Sequence, residues 1–120
     1  MSLDITLYRS RLISYDQGKT LKEDEEMVYN GNITHNLGEM ASKAGIYKAL
    51  WRPASINAKK ANDIVSIVEK GLEELKNTPE YFKQFNSPNG WGIYEHFLPF
   101  VEEYLKALKE YPDAIIVVDR

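Results

Sequence analysis

The chain has 120 residues, with 15 Lys plus Arg against 18 Asp plus Glu, a formal charge of −3 and no cysteine. That is the length of one domain, and 43% hydrophobic with 28% charged residues is too apolar a mixture for a disordered chain. The acidic balance argues against a protein that grips nucleic acid by neutralising phosphates, and the lack of thiols excludes disulfides, thiolate metal sites and cysteine nucleophiles.

No apolar run approaches the roughly 18 residues of a membrane span. Met1-Ser2-Leu3-Asp4 lacks the basic and apolar regions of a signal peptide, so the expectation is a cytoplasmic protein with no membrane partner. Residues 3–13 set Leu3, Ile5 and Leu7 in alternation with Asp4, Thr6 and Arg9, which predicts a half-buried strand. Asp16-Gln17-Gly18 has turn chemistry and Glu23-Asp24-Glu25-Glu26 is a like-charge run. The connection therefore reads as a mobile, solvated hairpin loop, without the spaced ligands and glycine of a calcium loop. Residues 27–30 return as a short second strand, ended by a turn or bulge at Asn30-Gly31-Asn32. Thr34 then caps a helix whose apolar positions are Leu37, Met40, Ala41 and Ala44, and Gly45 stops it. Residues 46–51 form a second short helix, cut off where Pro53 pushes Arg52 out of the α region and leaves Trp51-Arg52 at a corner.

Asn57 is the expected N-cap of the clearest helix, residues 58–76, in which Ala61, Ile64, Val65, Val68, Leu72 and Leu75 recur at three and four. Gly71 inside it costs roughly 1 kcal/mol relative to Ala, and so marks a close contact with another backbone. Thr78-Pro79 opens a short helix that carries Tyr81, Phe82 and Phe85 and ends at Asn86. Ser87-Pro88-Asn89-Gly90-Trp91-Gly92 is a loop whose two glycines can reach positive φ. Residues 93–109 carry a broad apolar surface including Tyr94, Phe97, Val101, Leu105 and Leu108, with Pro99 as the expected kink. Residues 114–118 are a continuous apolar run, which predicts a strand covered on both faces and central between the first two. The fold class is therefore α+β in a single domain: a small antiparallel or mixed sheet of about three strands from both chain ends (residues 3–13, 27–30 and 114–118) packed against a helical middle.

Several residues could carry chemistry. His35 lies among Asn32, Thr34 and Asn36 where a strand gives way to a helix, so its imidazole and the exposed amides there suit a polar ligand. Capping and turn-making explain the same residues without a ligand. Glu95-His96 suggests half a metal site, but neighbours on a helix do not share a face and no second His stands at i+4, so no metal is expected. None of the serines sits in a nucleophile elbow, and Gly90-Trp91-Gly92 is only a fragment of a dinucleotide loop; no cofactor is expected. Trp51-Arg52 and Asn89-Gly90-Trp91-Gly92-Ile93-Tyr94 combine flat rings, a guanidinium and free amides, as recognition of a planar ligand requires. Closing the core at helix ends is the competing role for both Trp residues. Arg9 and Arg11 share a strand face and could clamp an anion, although surface solubility explains them equally.

The segment Asn32-Ile33-Thr34-His35-Asn36-Leu37-Gly38-Glu39-Met40-Ala41, continued by Ala44-Gly45-Ile46-Tyr47-Lys48-Ala49-Leu50-Trp51-Arg52-Pro53, resembles a group of small uncharacterised bacteriophage and prophage proteins. Phe85-Asn86, Asn89-Gly90-Trp91-Gly92, Tyr94-Glu95 and the stretch from Phe100 to Leu105 extend the likeness, and residues 1–26 lie outside it. The resemblance implies a phage setting in the cytoplasm of a bacterial host and brings no catalytic residues with it. Small accessory proteins in that setting often counter host defence.

Together these features point to a non-catalytic phage accessory protein that binds a small polar, nucleotide-like ligand. The candidate site is Asn32, Thr34, His35, Asn36, Trp51, Arg52, Asn89, Trp91, Tyr94 and Glu95, with Arg9 and Arg11 for anionic oxygens. The alternative is a protein–protein inhibitor or assembly factor that offers an aromatic and acidic surface to a host or phage protein, or a homo-oligomer joined through the helix containing Pro99. A third reading is an enzyme using His35 as base with Glu95 or Glu39 as partner, which no catalytic motif supports.

Overall fold

A computed structural model describes residues 1–14 and 21–120, together with the side chains of all of these except 11–14 and 21–23. Strand β1 (Ser2–Ser14) pairs antiparallel with β2 (Leu21–Thr34) on one side and with β3 (Ile115–Asp119) on the other, in the order β2-β1-β3. Between the strands run α1 (Gly38–Lys43), α2 (Tyr47–Trp51), α3 (Val65–Asn77), α4 (Pro79–Lys83) and α5 (Tyr94–Glu110), with 3-10 turns at His35–Leu37, Pro53–Ile56 and Ala61–Ile64. This is the α+β fold that the sequence predicts, with the sheet drawn from both chain ends.

The alternation in β1 decides the layering. Leu3, Ile5 and Leu7 are fully buried on the helix side, where Val68 and Leu75 of α3 and Phe97, Val101, Tyr104 and Leu108 of α5 complete the core. Asp4, Thr6 and Tyr8 alternate onto the opposite face and are only half-buried. There the Asn32 amide donates to Asp4 Oδ1 (3.0 Å) and Ser2 Oγ (3.1 Å), and the Asn30 amide donates to Thr6 Oγ1 (3.0 Å). These cross-strand bonds on the outer face pin the register.

Three expectations are corrected. β3 is an edge strand, not the central one: Ile115 and Val117 are 44% and 47% exposed, whereas β1 pairs on both sides. A β-branched run looks the same whether it is covered on both faces or lies at an edge. The second strand covers far more than residues 27–30, because the acidic block pairs with β1 instead of forming a loop; Arg9 lies opposite Glu26 and bonds it at 2.8 Å (Nε to Oε2). β3 reaches only from Asp4 to Tyr8 of β1, so beyond Tyr8 the hairpin is a two-stranded ribbon, in which Arg9, Asp24 and Glu25 are exposed. Asp16, Gln17 and Gly18, the expected turn, lie outside the described residues. The irregularity falls at Val28, between the pairs Leu7–Tyr29 and Tyr8–Met27, and Asn30-Gly31-Asn32 continues the strand.

The third correction concerns Asn57, which caps no helix N-terminus. It closes the Pro53–Ile56 turn in the left-handed conformation (φ 58°), a role Asn tolerates well. The helical segment starts instead at Ala61, where Asp63 accepts from the backbone N–H groups of Lys59 (2.9 Å) and Lys60 (3.0 Å). Those N–H groups, Lys60 foremost, hold the Asp63 carboxyl below its usual range. Gly45 does end the first helical stretch (φ 79°), and Gly71 does meet another backbone. A Cβ there would collide with Ile46 Cγ2 and stand 3.1 Å from the Ala44 carbonyl oxygen.

Gly71→Ala is therefore expected to destabilise the fold by about 1–2 kcal/mol, because the collision outweighs the helix-propensity gain of an exposed site; a urea unfolding series measures it. Two core tyrosines make stability fall at high pH. Burial, then the nearby Glu103 charge, pushes Tyr29 up to about 12, and burial raises Tyr104, whose hydroxyl has no hydrogen-bond partner among the described residues. Both folded-state values exceed the unfolded value of 10, so their contribution is complete below pH 10 and declines above it, that of Tyr29 being lost as the pH rises through about 12. Chemical denaturation repeated between pH 8 and 12 should show that decline, and Tyr29→Phe should reduce it.

Candidate functional site

The end of β2 leads into a turn whose first residue, Thr34, accepts from Asn36 N–H at 3.3 Å, the capping role that its position predicts. The loop of residues 87–92 docks on this turn. Asn36 Nδ2 donates to the Trp91 carbonyl (2.7 Å), and Gly92 lies so close that a Cβ would stand 2.9 Å from Asn36 Cβ and 3.2 Å from Thr34 Cγ2. With φ at 115°, only glycine fits there without strain. Within the loop Asn89 Oδ1 accepts from Ser87 Oγ (2.6 Å) and Trp91 N–H (2.9 Å), and Gly92 O accepts from Ser87 N–H (2.9 Å). Asn86 Oδ1 accepts from Tyr94 N–H (2.8 Å) and so satisfies one free donor of the first turn of α5. The Trp91 ring is thus held on a closed loop while remaining 72% exposed.

Between the turn, the loop, the start of β1 and α5 opens a hollow of about 960 Å3. Asn32, Thr34, His35, Asn36, Asn89 and Trp91 all line it. His96, Pro99, Phe100 and Glu103 form the α5 wall. His96, weighed in sequence only as half of a metal site, shares this wall with Pro99, Phe100 and Glu103, whose spacing of three and four places all four residues on one helix face. His35 and His96, which are 61 positions apart in sequence, share this hollow. Among the described residues no three His, Asp or Glu side chains group as metal ligands do.

His35 is oriented from behind. Trp51 Nε1 donates to His35 Nδ1 at 2.9 Å, and the Trp51 ring stacks on Tyr47 with centroids 5.2 Å apart and planes 10° from parallel. Indole N–H is a donor only, so Nδ1 must accept and the neutral ring carries its proton on Nε2. Trp51 itself is 2% exposed and cannot stack on a ligand. It closes the core and orients the histidine.

The remaining candidates lie elsewhere. Arg52 borders a second hollow beside β3. Tyr94 is buried, donating its hydroxyl to Leu75 O at 2.7 Å, and burial raises its pKa. Glu95 faces Lys83, 3.9 Å away, and lies outside the hollow. Arg9 pairs with Glu26 and extends over the Tyr111 ring at 5.5 Å. Arg11 stands opposite Asp24 in the ribbon, and its side chain lies outside the described ones. The hollow therefore has no Lys or Arg in its described lining, and Glu103 is its one acidic side chain.

Compared with family models, curated proteins and solved structures, the chain matches none. No helix among the described residues is long and apolar enough to cross a membrane.

Removing the indole donor should release the histidine. In Trp51→Phe, nitrogen-detected imidazole spectra at neutral ring charge should change from the Nε2–H tautomer alone to a mixture of both, with a stability loss of about 1 kcal/mol for the hydrogen bond.

Proposed function

We propose that the protein is a non-catalytic binding protein whose ligand is a planar, polar molecule of nucleobase or nucleoside type, held in the hollow beside His35. The observation that carries this reading is the pairing of a 72% exposed Trp91 ring with directional polar groups, Asn32, Thr34, His35 and Asn36, around one concavity. A flat ring stacks on a planar ligand, while amide, hydroxyl and imidazole groups select its edge pattern. Glu103 adds an acceptor suited to an exocyclic amine or a ribose hydroxyl. The lack of a Lys or Arg among the described lining residues favours the base and sugar part of a nucleotide-like ligand over its phosphates, since anionic oxygens bind where Arg or Lys meets them.

Binding is favoured over turnover because the ring nitrogen of His35 that would take a carboxylate partner is occupied by an indole N–H. Neither Glu39 nor Glu95 lines the hollow. The likeness of residues 32–53 to phage and prophage proteins supports an accessory role in which retaining a host nucleoside-derived signal counters defence.

The two tryptophans make the test direct. Excitation of the purified protein should give emission from exposed Trp91 that is quenched on titration with nucleosides or free bases, while emission from buried Trp51 is unchanged. Trp91→Ala should weaken binding by about 1–3 kcal/mol, the value of one base–aromatic stack, and His35→Ala should weaken it further without altering the recovered ligand. Absence of quenching at millimolar nucleoside, or affinity unchanged in Trp91→Ala, would sink the reading. Chromatography showing a converted nucleoside would replace it with an enzyme.

A further inference from the structure

The second hollow, about 400 Å3, lies on the outer edge of β3, away from the Trp91 site. We propose that this edge is a docking site for an extended, acidic peptide segment of a partner protein, which adds a strand to the sheet.

The backbone register shows where such a segment fits. Ile116 N–H points away from β1 and donates to Lys59 O at 2.9 Å, and Ala61 N–H donates to Ala114 O at 2.8 Å. The first half of the edge is therefore covered by residues 59–61. Strand geometry turns the backbone of Val118, two residues on, to the same outer side. Among the described residues no backbone group meets the Val118 N–H or C=O there. A sheet edge that is protected along half its length and open along the rest is a template for strand addition.

The surroundings select the partner. Pro53, Ala58, Ile116 and Val118 form an apolar floor, and Arg52, Lys59 and Arg120 rim it. All three cations are exposed, and none is in an ion pair among the described residues. No carboxylate side chain lines the hollow. Asp119 alternates onto the other face, and Asp63 is turned to the Lys59 and Lys60 amides. A chain of net charge −3 thus gathers three cations, unpaired among the described residues, beside the apolar floor at the open end of β3, which complements alternating acidic and apolar side chains. A small anion would use the charges but leave both the floor and the Val118 backbone groups unmatched.

The full-length protein can be titrated with a fluorescein-labelled peptide library in which Glu or Asp alternates with Val or Ile, read by anisotropy and by amide shifts. Expected are shifts centred on Val118 and Arg120, at least tenfold weaker binding after Arg52→Glu with Lys59→Glu, and a similar loss when alternate peptide amides are N-methylated. The last comparison leaves the protein unchanged and so does not depend on how the variant folds. The proposal is overturned if no acidic peptide binds at millimolar concentration, or if N-methylated or Lys-containing peptides bind equally well. It is also overturned if the protein alone self-associates in ultracentrifugation in a way the double variant abolishes, since the edge then belongs to a second copy.

Discussion

One strand holds the molecule together. β1 buries Leu3, Ile5 and Leu7 against the helices while pairing with β2 on one side and β3 on the other, so both chain ends are tied to a single hydrophobic surface. Everything else is placed relative to it. The end of β2 delivers the turn at Thr34 beside the first residues of β1, and α5, packed against β2, brings His96 and Glu103 to the wall facing that turn. The hollow is thus the space left where a strand end, a turn and a helix meet.

Its rigidity comes from small, specific contacts more than from burial. Gly92 permits an approach that any side chain would prevent, Asn36 fastens the loop through the Trp91 carbonyl, and Asn89 closes it internally. The ring of Trp91 remains in water because its backbone, not its side chain, anchors the loop. Trp51 does the reverse: it spends its surface on the core and its one donor on His35. Two tryptophans with similar polar neighbours in sequence therefore have opposite duties, one to present a flat surface and one to aim an imidazole. An exposed ring on a constrained backbone loses little entropy when it stacks, which suits a binding surface.

Local pattern made part of this site legible. Thr34 as a cap, the positive φ of Gly90 and Gly92, and the grouping of His35 with its Asn neighbours follow from side-chain chemistry within a few residues. Arg52 and Arg9 were out of reach of such reasoning, because a cation near an aromatic ring in sequence can face a different groove or find an acid on another strand. Glu103 as a neighbour of His35, and His96 as anything other than half of a metal site, were equally out of reach. Each sits on an exposed helix face that reads as solvated until the turn at Thr34 is placed opposite it.

By itself the sequence determined the α+β class, the half-buried character of β1, the close approach at Gly71 and the glycine-dependent loop. These depend on period, volume and allowed backbone angles, which are local properties. Only the tertiary structure decided that β3 takes an edge, that the acidic block pairs as a strand, that Trp51 is sealed while Trp91 is open, and which cations stand beside which hollow. Those outcomes depend on which surfaces compete for the same buried face, and that competition is settled by packing across the whole chain, not within any one segment of it.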